Sequence, residues 1–293
     1  MSEADREPSV SAVITAATQQ LARAGVASAR VDAEWLAAHA LGVPRSRLAA
    51  AGGFTARVLR AYQELVAARA RRVPLQHLMG TAGFRWLDLA VGPGVFVPRP
   101  ETELLVDWGL TRIGAGAVIV DLCAGSGAIA LAVAHEAPGI VGYAVERAPA
   151  ALDWLRRNAD ARRAAGDPAI TIVAGDATDP TTLSTLDGRV DLVLCNPPYV
   201  PDGTPVPPEV ANHDPAEAVF GGPDGLAVIR PIVARAATLL RPGGWLGVEH
   251  DDTHAVAVPD LLRADGAYTD IEDHRDLAGL PRFATGRVAD CTP

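Results

Sequence analysis

Short apolar runs that alternate with helical stretches constrain the fold of this chain more than any other feature. The runs are residues 117–122, 140–145, 170–173, 190–194 and 245–248. A strand that is apolar on both faces must be covered on both, and helices that link parallel strands provide that cover. One such helix is predicted from about Ser126 and another extends through Leu155. The pattern therefore predicts a doubly wound α/β domain with a mostly parallel sheet.

The first 73 residues have a different periodicity. In the first helix of this part the recurring apolar residues are Val10, Val13, Ile14, Ala17 and Leu21. Spacings of three and four residues predict amphipathic helices, and a further helix is predicted for residues 55–72. Residues 74–100 consist of short extended pieces and turn residues, as in a hairpin-like connector. We thus predict a helical domain (1–73), the connector (74–100) and an α/β catalytic domain (101–293).

Composition and charge exclude several classes of protein. Hydrophobic residues make up 49% of the chain and charged residues 21%, which is typical of a folded protein rather than a disordered one. The net charge is -9, and this disfavours a protein whose main task is to grip a nucleic-acid backbone. The acidic N-terminus is unlike a signal peptide, and no apolar stretch has membrane-spanning length. We expect a cytoplasmic monomer that binds neither membrane nor nucleic acid directly.

The cysteines give no sign of a disulfide framework. Cys123, Cys195 and Cys291 are odd in number and widely separated. Without a CxxC pair they do not indicate a cysteine zinc site either, and a reducing compartment fits them.

A glycine-rich turn follows the first predicted strand. Asp121 lies near the end of that strand, and Gly125 and Gly127 let the backbone turn tightly and approach a ligand at the start of the next helix. Together with Ala130, the two glycines also satisfy the GxGxxA dinucleotide fingerprint. The turn alone therefore leaves a nicotinamide-dependent dehydrogenase open.

An acidic residue follows each of the next two strands. Glu146 ends the second strand, where a carboxylate can accept hydrogen bonds from both ribose hydroxyls of a nucleoside. Asp176 follows the third strand and can accept from an adenine amino group, or can simply form a turn. Because several nucleoside cofactors present such groups, the two acids do not identify one.

The fourth strand is followed directly by the segment Asn-Pro-Pro-Tyr, residues 196–199. Its two prolines remove two backbone donors and stiffen the loop, so that its carbonyls become fixed acceptors. The Asn196 side-chain oxygen and the Pro197 carbonyl can accept both hydrogens of a planar NH2 group, while the Tyr199 ring packs on its π plane. Such acceptors stabilise the charge that develops when a weakly nucleophilic amide attacks. The alternative is a proline-rich loop whose asparagine caps a turn.

The next segment, residues 200–213, contains four prolines. Because proline does not fit the interior of a helix or a central strand, we predict an irregular loop over the active site. Loops in such a position can close on a substrate.

These motifs resemble the class I S-adenosylmethionine-dependent methyltransferases, and among them the release factor glutamine N5-methyltransferases. The resemblance covers nearly the whole chain. A nucleic-acid methyltransferase could share the Asn-Pro-Pro-Tyr segment, whereas the PRPETE sequence at residues 98–103 is far more specific. Further similar segments are residues 74–80, 94–97, 215–226 and 276–282.

The resemblance implies a Rossmann-like catalytic domain that methylates the glutamine side-chain amide in the Gly-Gly-Gln motif of class I peptide chain release factors. It implies S-adenosylmethionine as cofactor, S-adenosylhomocysteine as product and a substrate-docking role for the helical domain. With the motifs above, the expected cofactor contacts are Phe96, Asp121, Ala124, Gly125, Gly127, Glu146, Asp176 and Asn196. The expected substrate contacts are Arg99, Pro100, Asn196, Pro197, Pro198 and Tyr199, of which Asn196, Pro197 and Tyr199 are the expected catalytic residues.

The chain departs from the family's pattern in two places. Cys123 stands where many methyltransferases have a third glycine, so a slightly altered backbone approach is expected there. After the fifth strand, His250, Asp251 and His254 stand in a loop where relatives commonly carry a glycine and a glutamine. Their spacing could suggest a metal, but methyl transfer needs none, and no metal site is predicted.

Besides the dehydrogenase that the glycine-rich turn allows, three alternatives to this function stay open. An adenine N6-methyltransferase acting on DNA or RNA would meet the same planar NH2 group, although the net acidity of the chain counts against it. A ribosomal protein glutamine methyltransferase is separated only through the resemblance. An inactive cofactor-binding module is the third, against which the intact Glu146 and residues 196–199 count.

Overall fold

The computed structural model describes residues 9–290. Its chain divides into two compact units. The first unit extends to Thr81 and includes Pro207–His213, and the second comprises Ala82–Val206 and the residues from Asp214 onward. Each unit contains an apolar core of its own.

The described residues form α-helices and β-strands, numbered here in chain order. The helices are α1 (Val10–Arg23), α2 (Ala29–Leu41), α3 (Ala56–Ala70), α4 (Leu75–Met79), α5 (Thr102–Leu110), α6 (Ala128–Glu136), α7 (Pro149–Ala164), α8 (Pro208–His213), α9 (Ile229–Leu239) and α10 (Ala257–Asp265). The strands are β1 (Thr81–Phe84), β2 (Leu87–Ala90), β3 (Val118–Leu122), β4 (Val141–Glu146), β5 (Ile170–Ala174), β6 (Val190–Cys195), β7 (Leu240–Glu249), β8 (Tyr268–Arg275) and β9 (Pro281–Val288).

The first unit is helical, as its periodicity predicts. Ser9 caps α1 because its side chain accepts a hydrogen bond from the Ala12 N–H, and Thr55 caps α3 in the same way. Between the helices, Leu21 and Leu36 are fully buried. Burial of such side chains supplies most of the stability of short helices.

The prediction of an irregular loop for residues 200–213 is wrong at the end of that segment. Pro208–His213 form α8, because proline tolerates the first turn of a helix, where its missing N–H would have no partner. Glu209 accepts hydrogen bonds from Arg69 and Arg72, at 2.8 and 2.6 Å. These contacts hold α8 within the first unit.

The second unit is built on a seven-stranded sheet with the order β5-β4-β3-β6-β7-β9-β8. The five strands from β3 to β7 run parallel, which confirms the doubly wound fold. β9 pairs antiparallel with β7 and β8, and the sequence analysis did not anticipate these last two strands. Much of β8 is exposed or half-buried, so it carries no continuous apolar run that would mark it as a strand.

The apolar runs face two cores, one on each side of the sheet. Val120 and Leu122 pack into the core that includes α9 and α10. Ile119 packs into the other, which includes α5 and α6. Because successive side chains of a strand point to opposite faces, a run that is buried on both faces must be apolar throughout.

The predicted connector contains a two-stranded sheet formed by β1 and β2. Arg85 lies in the turn between β1 and β2 with φ +52°, and its backbone N–H donates to the Glu103 carboxylate at 2.9 Å.

Cys123 and Cys195 are free thiols, and Cys291 lies outside the described residues. No helix among residues 9–290 is both long and apolar enough to cross a membrane.

Candidate active site

The strand order creates a crevice at the carboxyl ends of the parallel strands. The chain builds outward from β3 through β4 to β5, then returns to place β6 on the other side of β3. Ligands of doubly wound folds bind at such a switch point. Residues at or just after the strand ends are Asp121, Glu146, Asp176, Asn196 and Glu249.

The glycine-rich turn after β3 is tied to β4. The buried Ala124 donates from its N–H to the Val145 carbonyl at 2.9 Å, and Gly125 donates to the Glu146 carboxylate at 2.8 Å. Gly127 has φ +88° and precedes the first residue of α6. Two hydrogen bonds thus hold the turn at the carboxyl ends of β3 and β4.

Cys123 lies at the start of this turn, where the sequence analysis expects an altered backbone approach. Its φ is +64°, in the left-handed region that glycine occupies most easily. A side chain there costs about 1 to 2 kcal/mol in conformational energy. The departure from the family pattern is therefore a strained residue that keeps a backbone conformation suited to glycine.

Glu146 has its carboxylate held by backbone donors. Besides the bond from Gly125, it accepts from the N–H groups of Arg147 and Ala148, at 2.8 and 2.7 Å. The residue is 9% exposed. Two carboxylate oxygens offer about four acceptor positions, so one position remains for a ligand beside the three bonds already made.

Asp121 carries an unused acceptor. One of its oxygens accepts from the Ala130 N–H at 3.0 Å, and the other, Oδ1, has no hydrogen-bond partner among the described residues. Burial raises the pKa of this carboxyl to about 8. A buried carboxyl with an open lone pair suits a donor group on a ligand.

The sequence analysis predicted either an adenine contact or a turn for Asp176, and the structure shows the turn. Its Oδ1 accepts from both the N–H and the hydroxyl of Thr178, at 2.8 and 2.7 Å. The bond from the Thr178 N–H has the largest effect and the bond from its hydroxyl the next. Together they hold the pKa of the Asp176 carboxyl below its usual value. The contact with adenine stays a prediction.

The segment at residues 196–199 is anchored by its polar side chains. Pro197 and Pro198 are buried, while Asn196 and Tyr199 are half-buried. The Asn196 amide nitrogen donates to the Thr102 hydroxyl at 3.0 Å, and the Tyr199 hydroxyl donates to Glu249 at 3.0 Å. The Asn196 amide nitrogen is therefore bonded to a buried partner.

The sequence analysis predicted three site residues at the end of the connector, and two of them, Phe96 and Arg99, are in contact. The Arg99 guanidinium stacks over the Phe96 ring, 4.7 Å from its centroid, and donates to Asp214 at 2.9 Å. Pro100 is exposed. Their contacts with cofactor or substrate stay predictions.

The loop after β7 supports the Asn-Pro-Pro-Tyr segment through a neighbouring turn. A ring nitrogen of His254 lies 3.0 Å from the Asp224 carbonyl oxygen, and Gly225 follows directly in that turn. A Cβ on Gly225 would lie 2.2 Å from the Tyr199 carbonyl oxygen. The turn thus packs directly against the backbone of the segment.

The other polar residues of that loop have protein partners of their own. His250 is fully buried, and its ring nitrogens lie 2.8 Å from the Asp251 carbonyl oxygen and 2.9 Å from Asp273. The Asp251 carboxylate accepts from Thr253. Across residues 9–290, no cluster of three or more His, Cys, Asp or Glu side chains is arranged to hold a metal ion.

Thr102 and Glu249 are site residues that the sequence analysis missed. The Thr102 hydroxyl donates to the Glu249 carboxylate at 2.7 Å, and both residues are almost completely buried. Burial raises the Glu249 pKa to about 7. The position of Glu249 at the end of a parallel strand is the signal that could have identified it.

Comparison with known proteins identifies the family. Residues 12–80 match the family described as PrmC N-terminal domain, and residues 87–212 match the methyltransferase small domain. A release factor glutamine methyltransferase of Mycolicibacterium smegmatis is 55% identical to this chain, over 94% of this chain and 97% of its own length. This chain belongs to the release factor glutamine methyltransferase family. Relatives of the same name from Streptomyces coelicolor and Mycobacterium leprae are 49% and 48% identical, covering 95% and 94% of this chain and 98% and 95% of their own.

A solved structure supports the fold of this release factor glutamine methyltransferase family member. A methyltransferase from Pyrococcus furiosus superimposes with a TM-score of 0.53 over 76% of this chain and 98% of its own, at 17% identity. At that identity the likeness concerns the fold alone. It agrees with the class I methyltransferase fold predicted from the sequence.

Replacing Gly225 by alanine in this family member is expected to lower kcat about 10-fold, because a displaced reacting group loses orientation. The new Cβ would meet the Tyr199 carbonyl oxygen, so the backbone of the segment must shift. Steady-state kinetics checks this. Gly266→Ala is the matched control, since Gly266 has a similar φ of +82° with nothing within 4 Å of a Cβ. Equal losses in both variants would contradict the steric explanation.

Proposed function

We propose that this protein transfers a methyl group from S-adenosylmethionine to the side-chain amide nitrogen of the glutamine in the Gly-Gly-Gln motif of class I peptide chain release factors. The observation that carries the proposal is the Asn-Pro-Pro-Tyr segment, anchored at the end of β6 beside the glycine-rich turn. The names of relatives at 48–55% identity support the choice of substrate.

The residues at the strand ends fit S-adenosylmethionine. Asp121 has a buried acceptor without a partner, which suits the cationic methionine part of the cofactor. Glu146 retains one acceptor position, which suits a ribose hydroxyl. In this proposal Phe96, Ala124, Gly125, Gly127, Asp176 and Asn196 complete the cofactor site. S-adenosylmethionine, when bound, supplies an electrophilic methyl group and leaves as S-adenosylhomocysteine.

The role of this chain is to hold and orient the glutamine amide. An amide nitrogen is a weak nucleophile because its lone pair is delocalised into its carbonyl group. The Asn196 side-chain oxygen and the Pro197 carbonyl accept the two N–H groups, and both gain strength as positive charge develops on the nitrogen. Fixed acceptors need no reorganisation during the reaction, and the methylated nitrogen afterwards loses one proton to solvent.

The test is mass spectrometry of a class I release factor incubated with this protein and S-adenosylmethionine, with the methyl group located by fragmentation. One added methyl on the glutamine of the Gly-Gly-Gln tip is the expected result. The matched control is a release factor whose motif reads Gly-Gly-Glu, which has no amide to methylate. Methyl transfer to a ribosomal protein or to adenine in nucleic acid, with none to the release factor, would overturn the choice of substrate.

Binding of S-adenosylmethionine is expected to release close to one proton per site at pH 7. Asp121, with a pKa of about 8, is mostly protonated at that pH before binding. A cationic ligand group beside its carboxylate favours the ionised form and lowers the pKa. Calorimetry in buffers of different ionisation enthalpy measures the release, and Asp121→Asn should abolish it. Release that persists in this variant would show that another group supplies the proton.

The proposal also covers the docking of the release factor, the oligomeric state and the location of the enzyme. The helical domain is proposed to dock the release factor, and Arg99, Pro100, Pro198 and Tyr199 to contact it. A monomeric state and a cytoplasmic location stay predictions.

A further inference from the structure

A chain of buried hydrogen bonds connects the two polar side chains of the Asn-Pro-Pro-Tyr segment. The Glu249 carboxylate accepts from the Tyr199 hydroxyl at 3.0 Å and from the Thr102 hydroxyl at 2.7 Å. Thr102 in turn accepts from the Asn196 amide nitrogen at 3.0 Å. Glu249 is 1% exposed and Thr102 3% exposed, so water does not compete for these bonds.

The chemistry of the groups fixes the direction of each hydrogen bond in this series. An ionised carboxylate can only accept, so both hydroxyls must donate to Glu249. A threonine hydroxyl has a single hydrogen, and once it is donated, the oxygen can only accept from Asn196. The asparagine must therefore turn its NH2 group towards Thr102 and its oxygen away from it. The opposite rotamer would bring two oxygens together with no proton between them.

We infer that Thr102 and Glu249 are positioning residues that present the oxygen of Asn196, rather than its nitrogen, to the substrate. This inference rests on the proposed function. It explains how an asparagine, whose amide could face either way, becomes an acceptor of fixed orientation for an incoming NH2 group. It also predicts a specificity, because a carboxylate in place of the glutamine amide would meet an acceptor instead of a donor.

Burial raises the pKa of Glu249 to about 7, so the carboxyl is mostly ionised only above that pH. The Arg282 guanidinium stabilises the negative charge, and Asp276 holds that guanidinium at 3.0 Å. The nearby Glu101 acts in the opposite sense. At pH 8, above the pKa of about 7, the carboxyl is mostly ionised and the direction of the chain is set.

Replacing Thr102 by valine keeps the shape of the side chain and removes the hydroxyl. We expect kcat to fall about 10-fold, since the Asn196 amide loses the partner that orients it. Thr102→Ser should restore most of the activity, because it restores the hydroxyl. Glu249→Gln can accept on one side only, so it should lower kcat as well. The affinity for S-adenosylmethionine and the melting temperature, measured for each variant, show whether the fold is intact, and Thr238→Val on the exposed face of α9 is the matched control.

A double-mutant cycle separates positioning from a general structural role. If Thr102 acts through Asn196, then Thr102→Val should have less than about a twofold effect on kcat in the Asn196→Ala background. The ratio of the inhibition constant of a Gly-Gly-Glu peptide to the KM of the Gly-Gly-Gln peptide should also fall in Thr102→Val, because the rotated amide accommodates a carboxylate. An undiminished loss in the double variant, or valine and serine variants of equal activity, would overturn the inference.

Different measurements test the proposed function and the inference on Thr102 and Glu249. Without methyl transfer by the wild-type protein to the release factor glutamine, the proposed function is wrong, and the wild-type measurement alone reveals it. With wild-type transfer present, only the comparison of the Thr102 variants decides the inference.

Discussion

Replacing Asn196 by alanine is expected to lower kcat between about 5-fold and about 150-fold, because one N–H of the glutamine amide loses a buried acceptor worth about 1 to 3 kcal/mol. The affinity for S-adenosylmethionine should change much less, since the loss falls mainly on the reacting amide. Steady-state kinetics with saturating cofactor and substrate measures kcat, and calorimetry measures the affinity.

The control for this prediction is Thr238→Ala. Thr238 is exposed on α9, so removal of its polar side chain should leave kcat near the wild-type value. Wild-type turnover by Asn196→Ala would show that the Pro197 carbonyl and the fold of the loop suffice to orient the amide. The Asn196 oxygen would then have no part in catalysis.

Replacing Glu146 by alanine is expected to weaken S-adenosylmethionine binding between about 10-fold and about 100-fold, because a hydrogen bond from a ribose hydroxyl to a carboxylate is worth about 1.5 to 3 kcal/mol. The change also removes the acceptor for the backbone N–H groups of Gly125, Arg147 and Ala148. The glycine-rich turn should therefore become less rigid. Titration calorimetry measures the affinity.

Glu64→Ala, on the exposed side of α3, is the control of matched chemistry for Glu146. It should bind the cofactor as the wild-type protein does. If Glu146→Ala also bound S-adenosylmethionine within about threefold of wild type, the hydrogen bonds to three backbone N–H groups would be the only role of Glu146. Glu146 would then be a brace for the turn and not a cofactor contact.

The fold could be predicted wherever burial leaves a pattern in the sequence. Strands β3, β4 and β6 and the end of β7 are largely apolar because helices cover both of their faces, and that pattern identified them. The edge strand β5 has a short apolar run, although none of its residues is fully buried. By contrast, β8 is partly exposed and interrupted by polar residues, so no run marked it. The helix at Pro208–His213 was missed because its prolines suggested a loop, whereas contacts of Glu209 with residues far away in the chain stabilise it.

The candidate site shows the same division. Residues that lie at the ends of predicted strands, such as Asp121, Glu146 and Asn196, could be selected because parallel strands bring their carboxyl ends to one edge. Which atoms of these residues are already bonded could not be known. The backbone partners of Glu146 and the free Oδ1 of Asp121 are properties of a folded turn.

The sequence by itself determined the fold class, the family and the chemical identity of the groups around the crevice, because each of these depends on local patterns of residues. The tertiary structure alone decided which way those groups face. Asn196 and Thr102 are 94 positions apart, and Thr102 and Glu249 are 147 apart. A hydrogen bond depends on atoms within about 3 Å of each other, and only the folded chain brings such distant residues to that distance.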